Sequence, residues 1–239
     1  MIMKKEWTGN SNSARYAVAA KKKGSTTERA ADDFYATDPK ALEMLLDKSS
    51  LWLRDVLNSF LLASDNGKYR VRRNGWRSRL APEIWEPAAG TGNLCECLRE
   101  RGYDVIGSDI KDRGYLKYKG MCSIDFLQTT QDFCWDYNVG AILTNPPYSL
   151  ALEFANHALD VLPENGLYIA LMNISYLSGK KRYEQLFQFG ELREVYVFSK
   201  RIEYWKNNER PKDKCGSIVN YAWYVFQKGW CGNPTLYWI

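Results

Sequence analysis

The chain has 239 residues but only one histidine, His157, and six cysteines. That shortage excludes most metal chemistry. Cys95 and Cys97 form a C-x-C pair, the other cysteines are scattered, and no zinc set assembles from them with one histidine. The pair reads as helix packing, and the whole as a reduced, cytosolic protein. No run approaches the about 18 uninterrupted apolar residues of a membrane span. The segment Met1 to Trp7 lacks the apolar stretch of a secretory signal. Also missing are the full dinucleotide fingerprint and the Gly-Lys-Ser/Thr of a phosphate loop, which disfavours NAD and ATP as ligands. No internal repeat is visible.

What is present suits one α/β domain with a substantial core. The formal charge is only +5, so its distribution carries more information than its size. Residues 1–32 form a basic arm with Lys21-Lys22-Lys23 and little periodicity, and residues 33–239 are expected as the single folded domain. Arg70, Arg72, Arg73, Arg77 and Arg79 crowd a second basic segment, and Lys200, Arg201, Lys206, Arg210, Lys212 and Lys214 a third, interleaved with Tyr204 and Trp205. Basic residues mixed with aromatics suit phosphates and unstacked bases. Each cluster alone reads equally well as a solvated loop. Segments 70–79 and 199–217 are the expected substrate contacts, with Arg72, Arg73, Arg77, Lys200, Arg201, Tyr204, Trp205 and Lys206 as candidates.

Strands and helices alternate along the chain. Asp38-Pro39 reads as a cap and first-turn proline opening a helix through Leu46, and Leu51–Leu62 as a second helix. Strands are expected at Glu83–Glu86, Asp104–Ser108, Met121–Ile124, Val139–Leu143, Leu167–Met172, Glu194–Phe198 and Tyr221–Phe226, with an edge element at Leu236–Trp238. Helices are expected at Leu94–Arg101, Leu150–Leu162 and Lys180–Phe189. Such alternation predicts a doubly wound sheet with its ligand at the carboxyl ends of the strands.

Two turns fall at such ends. Asn145-Pro146-Pro147-Tyr148 follows the apolar run Val139–Leu143. The prolines stiffen the turn, so that the Asn145 side-chain oxygen and the Pro146 carbonyl can both accept from one planar amino group. Tyr148 offers a face for stacking. A plain strand terminator would explain the prolines but gives no reason for Asn and Tyr to flank them. The other turn, Ala88-Ala89-Gly90-Thr91-Gly92-Asn93, follows Ile84-Trp85-Glu86-Pro87, and Asp109 ends the next strand. Glycines let a ligand approach the backbone, and a carboxylate about 20 residues on can hold a ribose diol.

Glu86-Pro-Ala-Ala-Gly-Thr-Gly92, Asp109, Asp125-Phe126 and Asn145-Pro-Pro-Tyr148, in this order, resemble the motifs of S-adenosylmethionine-dependent amino-methyltransferases of DNA. Asp33-Phe34-Tyr35-Ala36-Thr37-Asp38-Pro39 resembles the motif that precedes the glycine turn in one permutation class of those enzymes. The chain is also similar to small methyltransferases of phages and prophages. The resemblance spans roughly Asp33 to Phe226. It implies a Rossmann-like class I methyltransferase fold: seven strands, mostly parallel, helices on both faces and an antiparallel terminal strand drawn from Glu194–Phe226.

It also implies roles. Tyr35, Thr37 and Pro39 would close over S-adenosylmethionine, although a capping turn explains Asp38-Pro39 as well. Ala88, Gly90 and Gly92 would meet its methionine part. Asp109 would hold the ribose beside Ile110, or alternatively cap the turn at Ile110–Lys111. Asp125 would accept from the adenine amino group while Phe126 packs on that ring. Glu86 fits either the cofactor's amine or a brace for the turn. Asn145 through Tyr148 would hold an adenine N6 amino group of DNA, flipped out of the duplex, with no metal. Ser often replaces the Asn in cytosine-N4 enzymes, and RNA adenine and protein glutamine enzymes share Asn-Pro-Pro-Tyr, so RNA stays open as a partner. A silent nucleic-acid-binding subunit is the non-enzymatic alternative. Little chain remains after Tyr148 beyond three core strands, which points to short or relaxed recognition. Oligomeric state is not legible.

Overall fold

A computed structural model describes residues 35–61, 69–71, 77–79, 82–115, 124–200, 205–206 and 220–239. Its strands, in chain order, are β1 (Tyr35–Ala36), β2 (Tyr69–Val71), β3 (Arg77–Arg79), β4 (Glu83–Glu86), β5 (Val105–Gly107) and β6 (Val139–Thr144). They continue with β7 (Leu167–Asn173), β8 (Leu192–Val197), β9 (Trp205–Lys206), β10 (Tyr221–Gln227) and β11 (Thr235–Trp238). The helices are α1 (Pro39–Lys48), α2 (Leu51–Asn58), α3 (Asn93–Glu100), α4 (Gln131–Asp136), α5 (Ala151–Val161) and α6 (Lys180–Gln185).

Seven of these strands share one sheet in the order β11-β8-β10-β7-β6-β4-β5. β4 pairs parallel with β5 and β6, β6 with β7, and β8 with β11. β10 runs antiparallel between β7 and β8, which is the reversal expected of the C-terminal segment. The order also turns at β4: β5 lies on one side and β6, reached later in the chain, on the other. A sheet with such a switch point has a crevice there, outside the carboxyl ends of its strands.

Strand side chains alternate between faces, and both faces are covered. Leu167, Ile169, Leu171, Trp223 and Val225 pack with Leu42 and Leu45 of α1, Leu53 and Leu57 of α2 and Leu94 and Leu98 of α3. Tyr168, Ala170, Met172, Tyr224 and Phe226 pack with Phe154, Ala158 and Leu159 of α5 and Cys134 of α4. Each fully buried large side chain contributes roughly 1.5–3 kcal/mol. A polar latch adds direction: Trp223 Nε1 donates to the Ala41 carbonyl (2.9 Å), tying β10 to α1.

Helix ends differ from the sequence expectation where side chains turn inward. α1 starts at its proline, capped by Asp38, whose carboxylate accepts from the Lys40 amide (3.0 Å). α2 stops at Asn58, not Leu62, because Phe60 turns into the core and Leu61 bridges to Tyr103. The expected helix to Phe189 breaks at Leu186, which is buried with φ −141°, and resumes as a short turn over Phe187–Phe189. Cys95 and Cys97 are buried on α3. The β2–β3 and β1–β9 ribbons and α4 were not expected. The arm 1–32 and, but for Ile124, the strand expected at Met121–Ile124 lie outside the described residues.

Candidate active site

The ends of β4 and β5 are latched together. Ser108 accepts from Trp85 Nε1 through its hydroxyl (2.9 Å) and from the Ala89 amide through its carbonyl (2.8 Å), and its own amide donates to the Glu86 carbonyl (2.9 Å). Beyond them, Asp109 is buried with both oxygens engaged: the Gly90 amide donates to one (2.8 Å) and the Lys111 amide to the other (3.0 Å). The capping geometry is therefore present. Each carboxylate oxygen also has a second lone pair for a further donor. Ile110, next in the chain, is 63% exposed.

Gly90 and Gly92 adopt φ of 54° and 85°, the left-handed region that glycine enters without a Cβ penalty. At Gly92 a second requirement applies. A Cβ there would lie 2.2 Å from the Tyr115 ring, so the close approach at this glycine is made by the protein's own tyrosine. The Tyr115 hydroxyl is held in turn by Arg99.

Glu86 sits beneath this turn, 1% exposed. Its Oε1 accepts from the Ala88 amide (3.0 Å), which braces the turn. Its Oε2 and the Thr144 hydroxyl are both buried and form no hydrogen bond. Burial pushes the Glu86 carboxyl up to about 8; the nearby Thr144 hydroxyl and the Ala88 amide oppose that rise, and Asp109 adds to it. The group is thus mostly protonated near neutrality.

The adjacent strand, β6, ends at buried Thr144 and delivers Asn145, Pro146 and Pro147, after which Tyr148 opens a short helical turn. The Asn145 amide nitrogen donates to the Thr37 hydroxyl (2.9 Å). The Thr37 carbonyl accepts from Asn93 Nδ2 (3.1 Å), and Asn93 Oδ1 accepts from the Thr91 hydroxyl (3.2 Å). One chain of hydrogen bonds thereby joins the glycine turn, the N-terminal motif and Asn145. Tyr148 packs against Tyr221 at the start of β10, ring centroids 5.7 Å apart.

Asp125 and Phe126 are brought near Asp109, whose carbonyl accepts from the Ile124 amide (3.0 Å). Asp125 is exposed and caps its own turn through the Leu127 amide (3.1 Å). Phe126 is only 2% exposed, enclosed by Trp85, Phe154 and His157 at centroid distances of 5.1, 4.8 and 4.9 Å. In this conformation its ring serves the core and offers little face to a ligand.

Of the basic candidates, Lys200 is exposed past the end of β8. Arg72, Arg73, Arg201 and Tyr204 lie outside the described residues. Arg77 lies in the β3 backbone, and the β9 backbone pairs with β1 in the register Tyr35↔Lys206 and Ala36↔Trp205. The backbone of Trp205–Lys206 therefore runs beside that of Tyr35–Ala36, just ahead of Thr37. Among the described residues no three His, Cys, Asp or Glu side chains converge as a metal set, and no helix is long and apolar enough to cross a membrane.

The sequence reading missed Asn93, Tyr115, Thr144 and Tyr221. Asn93 carries a local signal, an amide at the first position of a helix. The other three are recognisable only once the strands are ordered.

No protein-family model matches the chain, and no curated protein sequence matches it. Solved structures do. A DrdV–DNA complex matches with 12% identity and a TM-score of 0.51, over 86% of this chain and 27% of that one. A Lactococcus lactis protein assigned as a hemolysin matches with 10% identity and a TM-score of 0.50, over 82% and 91% of the two chains. A Listeria monocytogenes protein assigned to the class I S-adenosylmethionine-dependent methyltransferases matches with 12% identity and a TM-score of 0.48, over 84% and 72%. The fold is a Rossmann-like α/β fold, a seven-stranded, mostly parallel sheet with helices on both faces and one antiparallel strand, and the DrdV chain shares it. This chain spans about a quarter of the DrdV chain.

Proposed function

We propose that this chain transfers a methyl group from S-adenosylmethionine to the N6 amino group of adenine in DNA. One observation carries the reading. The Asn145-Pro146-Pro147-Tyr148 turn lies at the switch point of the sheet, tied through Thr37 and Asn93 to the glycine turn of the neighbouring strand. A crevice between two such turns brings an amino-group holder beside a nucleoside site.

The residues on the β4–β5 side fit the cofactor. The buried Glu86 Oε2 has no hydrogen-bond partner and would take its ammonium. The Asp109 carboxylate, already fixed by two amides, would accept from the ribose hydroxyls. The Glu86 carboxyl, raised to about 8 by burial, would ionise beside that cation, because a nearby opposite charge favours the charged form.

When bound, S-adenosylmethionine supplies an electrophilic methyl carbon whose bond to sulfur breaks, the pair staying on sulfur, as the bond to nitrogen forms. The protein's part is electrostatic and geometric. Adenine N6 has its lone pair delocalised into the ring and must rehybridise to react. The Asn145 oxygen and the Pro146 carbonyl would accept its two N–H groups and stabilise the positive charge that develops. No strong base is required, since the proton leaves after transfer. Tyr148 would stack on the flipped base, backed by Tyr221. DNA as partner is supported by exposed Lys200 past the end of β8 and by the pairing of the Trp205–Lys206 backbone with β1, just ahead of Thr37.

The test is to express the protein and Asn145→Ala in a methylation-free host and quantify modified nucleosides by mass spectrometry. N6-methyldeoxyadenosine from the intact protein alone is the expected result, with S-adenosylmethionine affinity retained in the variant. N4-methylcytosine, or methylation confined to RNA or protein, would overturn the substrate. Loss of cofactor binding in a folded Asn145→Ala would overturn the division of roles.

A further inference from the structure

An asparagine amide is nearly symmetric in shape but opposite in chemistry at its two ends. To accept from an amino group, Asn145 must present oxygen; turned over, it would present two donors to two donors. Its own strand does not decide this, because a side chain at the end of a turn can rotate about its last bond at little cost. Something outside β6 must hold the nitrogen end.

Thr37 is placed to do so. It comes 108 residues earlier in the chain, is buried, and receives the Asn145 nitrogen at 2.9 Å. The threonine is anchored from its backbone, where Asn93 Nδ2 donates to its carbonyl, and α1 begins directly behind it under the Asp38 cap. Its hydroxyl, which can donate as well as accept, here accepts from the nitrogen end of the amide, and holding that end fixes the plane in which the oxygen is presented.

We propose that Thr37 is the positioning residue of the methyl-transfer site: its hydroxyl sets the orientation of the Asn145 amide, and it acts on turnover through Asn145 rather than by holding S-adenosylmethionine. This role rests on the function proposed above. It replaces the cofactor-binding role that the N-terminal motif implies for this residue, and the two make opposite kinetic demands. If the Thr37 hydroxyl held the cofactor, its removal would weaken S-adenosylmethionine binding and leave kcat intact at saturation. A misoriented amide lowers kcat and leaves cofactor affinity alone.

The experiment compares wild type, Thr37→Val, Thr37→Ser and Lys48→Gln. Cofactor affinity is read by calorimetry, and kcat at saturating S-adenosylmethionine on unmethylated DNA. Thr37→Val, which keeps the shape without the hydroxyl, is expected to lose about tenfold in kcat, the scale of one hydrogen bond. Its cofactor affinity should stay within about threefold. Thr37→Ser should restore turnover, and Lys48→Gln, an exposed change at the far end of α1, should leave kcat unchanged. Should Thr37→Val not fold, Thr37→Ala removes the same hydroxyl without adding bulk. Unchanged kcat with weakened cofactor binding would overturn the role, and so would an equal loss in Thr37→Ser. Wild type run alongside separates the two claims. If it binds cofactor but methylates no adenine, the function is overturned and this role with it; if it methylates and Thr37→Val matches it, only the role of Thr37 falls.

Discussion

Glu86 concentrates the cost of this site in one carboxyl group. It is buried at the end of β4, braces the glycine turn with one oxygen, and leaves the other without a hydrogen bond. Burial raises it from an ordinary 4.5 to about 8. The folded protein thus keeps a proton that the unfolded chain releases above about 4.5. The contribution to stability is complete below that value and is lost progressively as pH rises through about 8. Glu86→Gln retains the shape and removes the titration. Denaturant unfolding from pH 5 to 8 should show the wild type losing stability relative to the variant as pH increases. A constant difference between the two across that range would mean that the folded carboxyl is ionised. The residue scale also marks where sequence reading runs out. Glycine at 92 is legible as a turn, but not that Tyr115 closes over it, and the turn at Asn145 is legible, but not the hydrogen bond from its nitrogen to Thr37.

Elements with strong local patterns were read from the sequence nearly to their ends. The central strands were, because runs such as Leu167–Met172 are short, uniformly apolar and bounded by turn residues, as expected of strands buried on both faces. The Asp38-Pro39 start of α1 was equally plain. Short elements with mixed composition, α4 and the paired ribbons, were not, since none carries a clear apolar pattern and β1 pairs with a strand distant in sequence. His157 illustrates such a partnership. The only histidine of the chain lies buried on α5 and meets the Thr129 hydroxyl (3.1 Å), joining that helix to the turn that carries Asp125 and Phe126. Burial lowers its pKa, against opposing effects from Asp160, the Phe126 backbone and Asp125. Its contribution is therefore present above the unfolded value of 6.5 and is lost as pH falls below it. His157→Phe keeps a ring against Phe126 but cannot bond Thr129, and should cost about 1 kcal/mol at neutral pH. Its stability should also decline less than that of wild type between pH 6.5 and 5. An equal decline would assign the acid sensitivity to another group.

At the scale of the molecule, the direction of the strands decides which surface meets a substrate. β4, β5, β6 and β7 are parallel, so Glu86, Asp109, Asn145 and Asn173 emerge at one pole, and Lys200 follows β8 at the same pole. α1 leads away from it. It begins beside Thr37 and, after ten residues and about 15 Å, ends near Ser50, which bonds Glu194 within β8. Lys48 is therefore an exposed lysine far from the crevice. A net charge of +5 cannot by itself steer a polyanion to one pole; the placement of the cations has to. If DNA lies across the carboxyl ends of the strands, its affinity should fall with salt by a slope of about 0.9 per phosphate contacted. Lys200→Gln should then reduce that slope by about 1, while Lys48→Gln leaves it unchanged and S-adenosylmethionine affinity is unaffected in both. Fluorescence anisotropy of a labelled duplex from about 50 to 200 mM salt measures all three. Equal slopes for the two variants would mean that the backbone does not cross the pole that carries Asn145, and the flipped base would have no path to it.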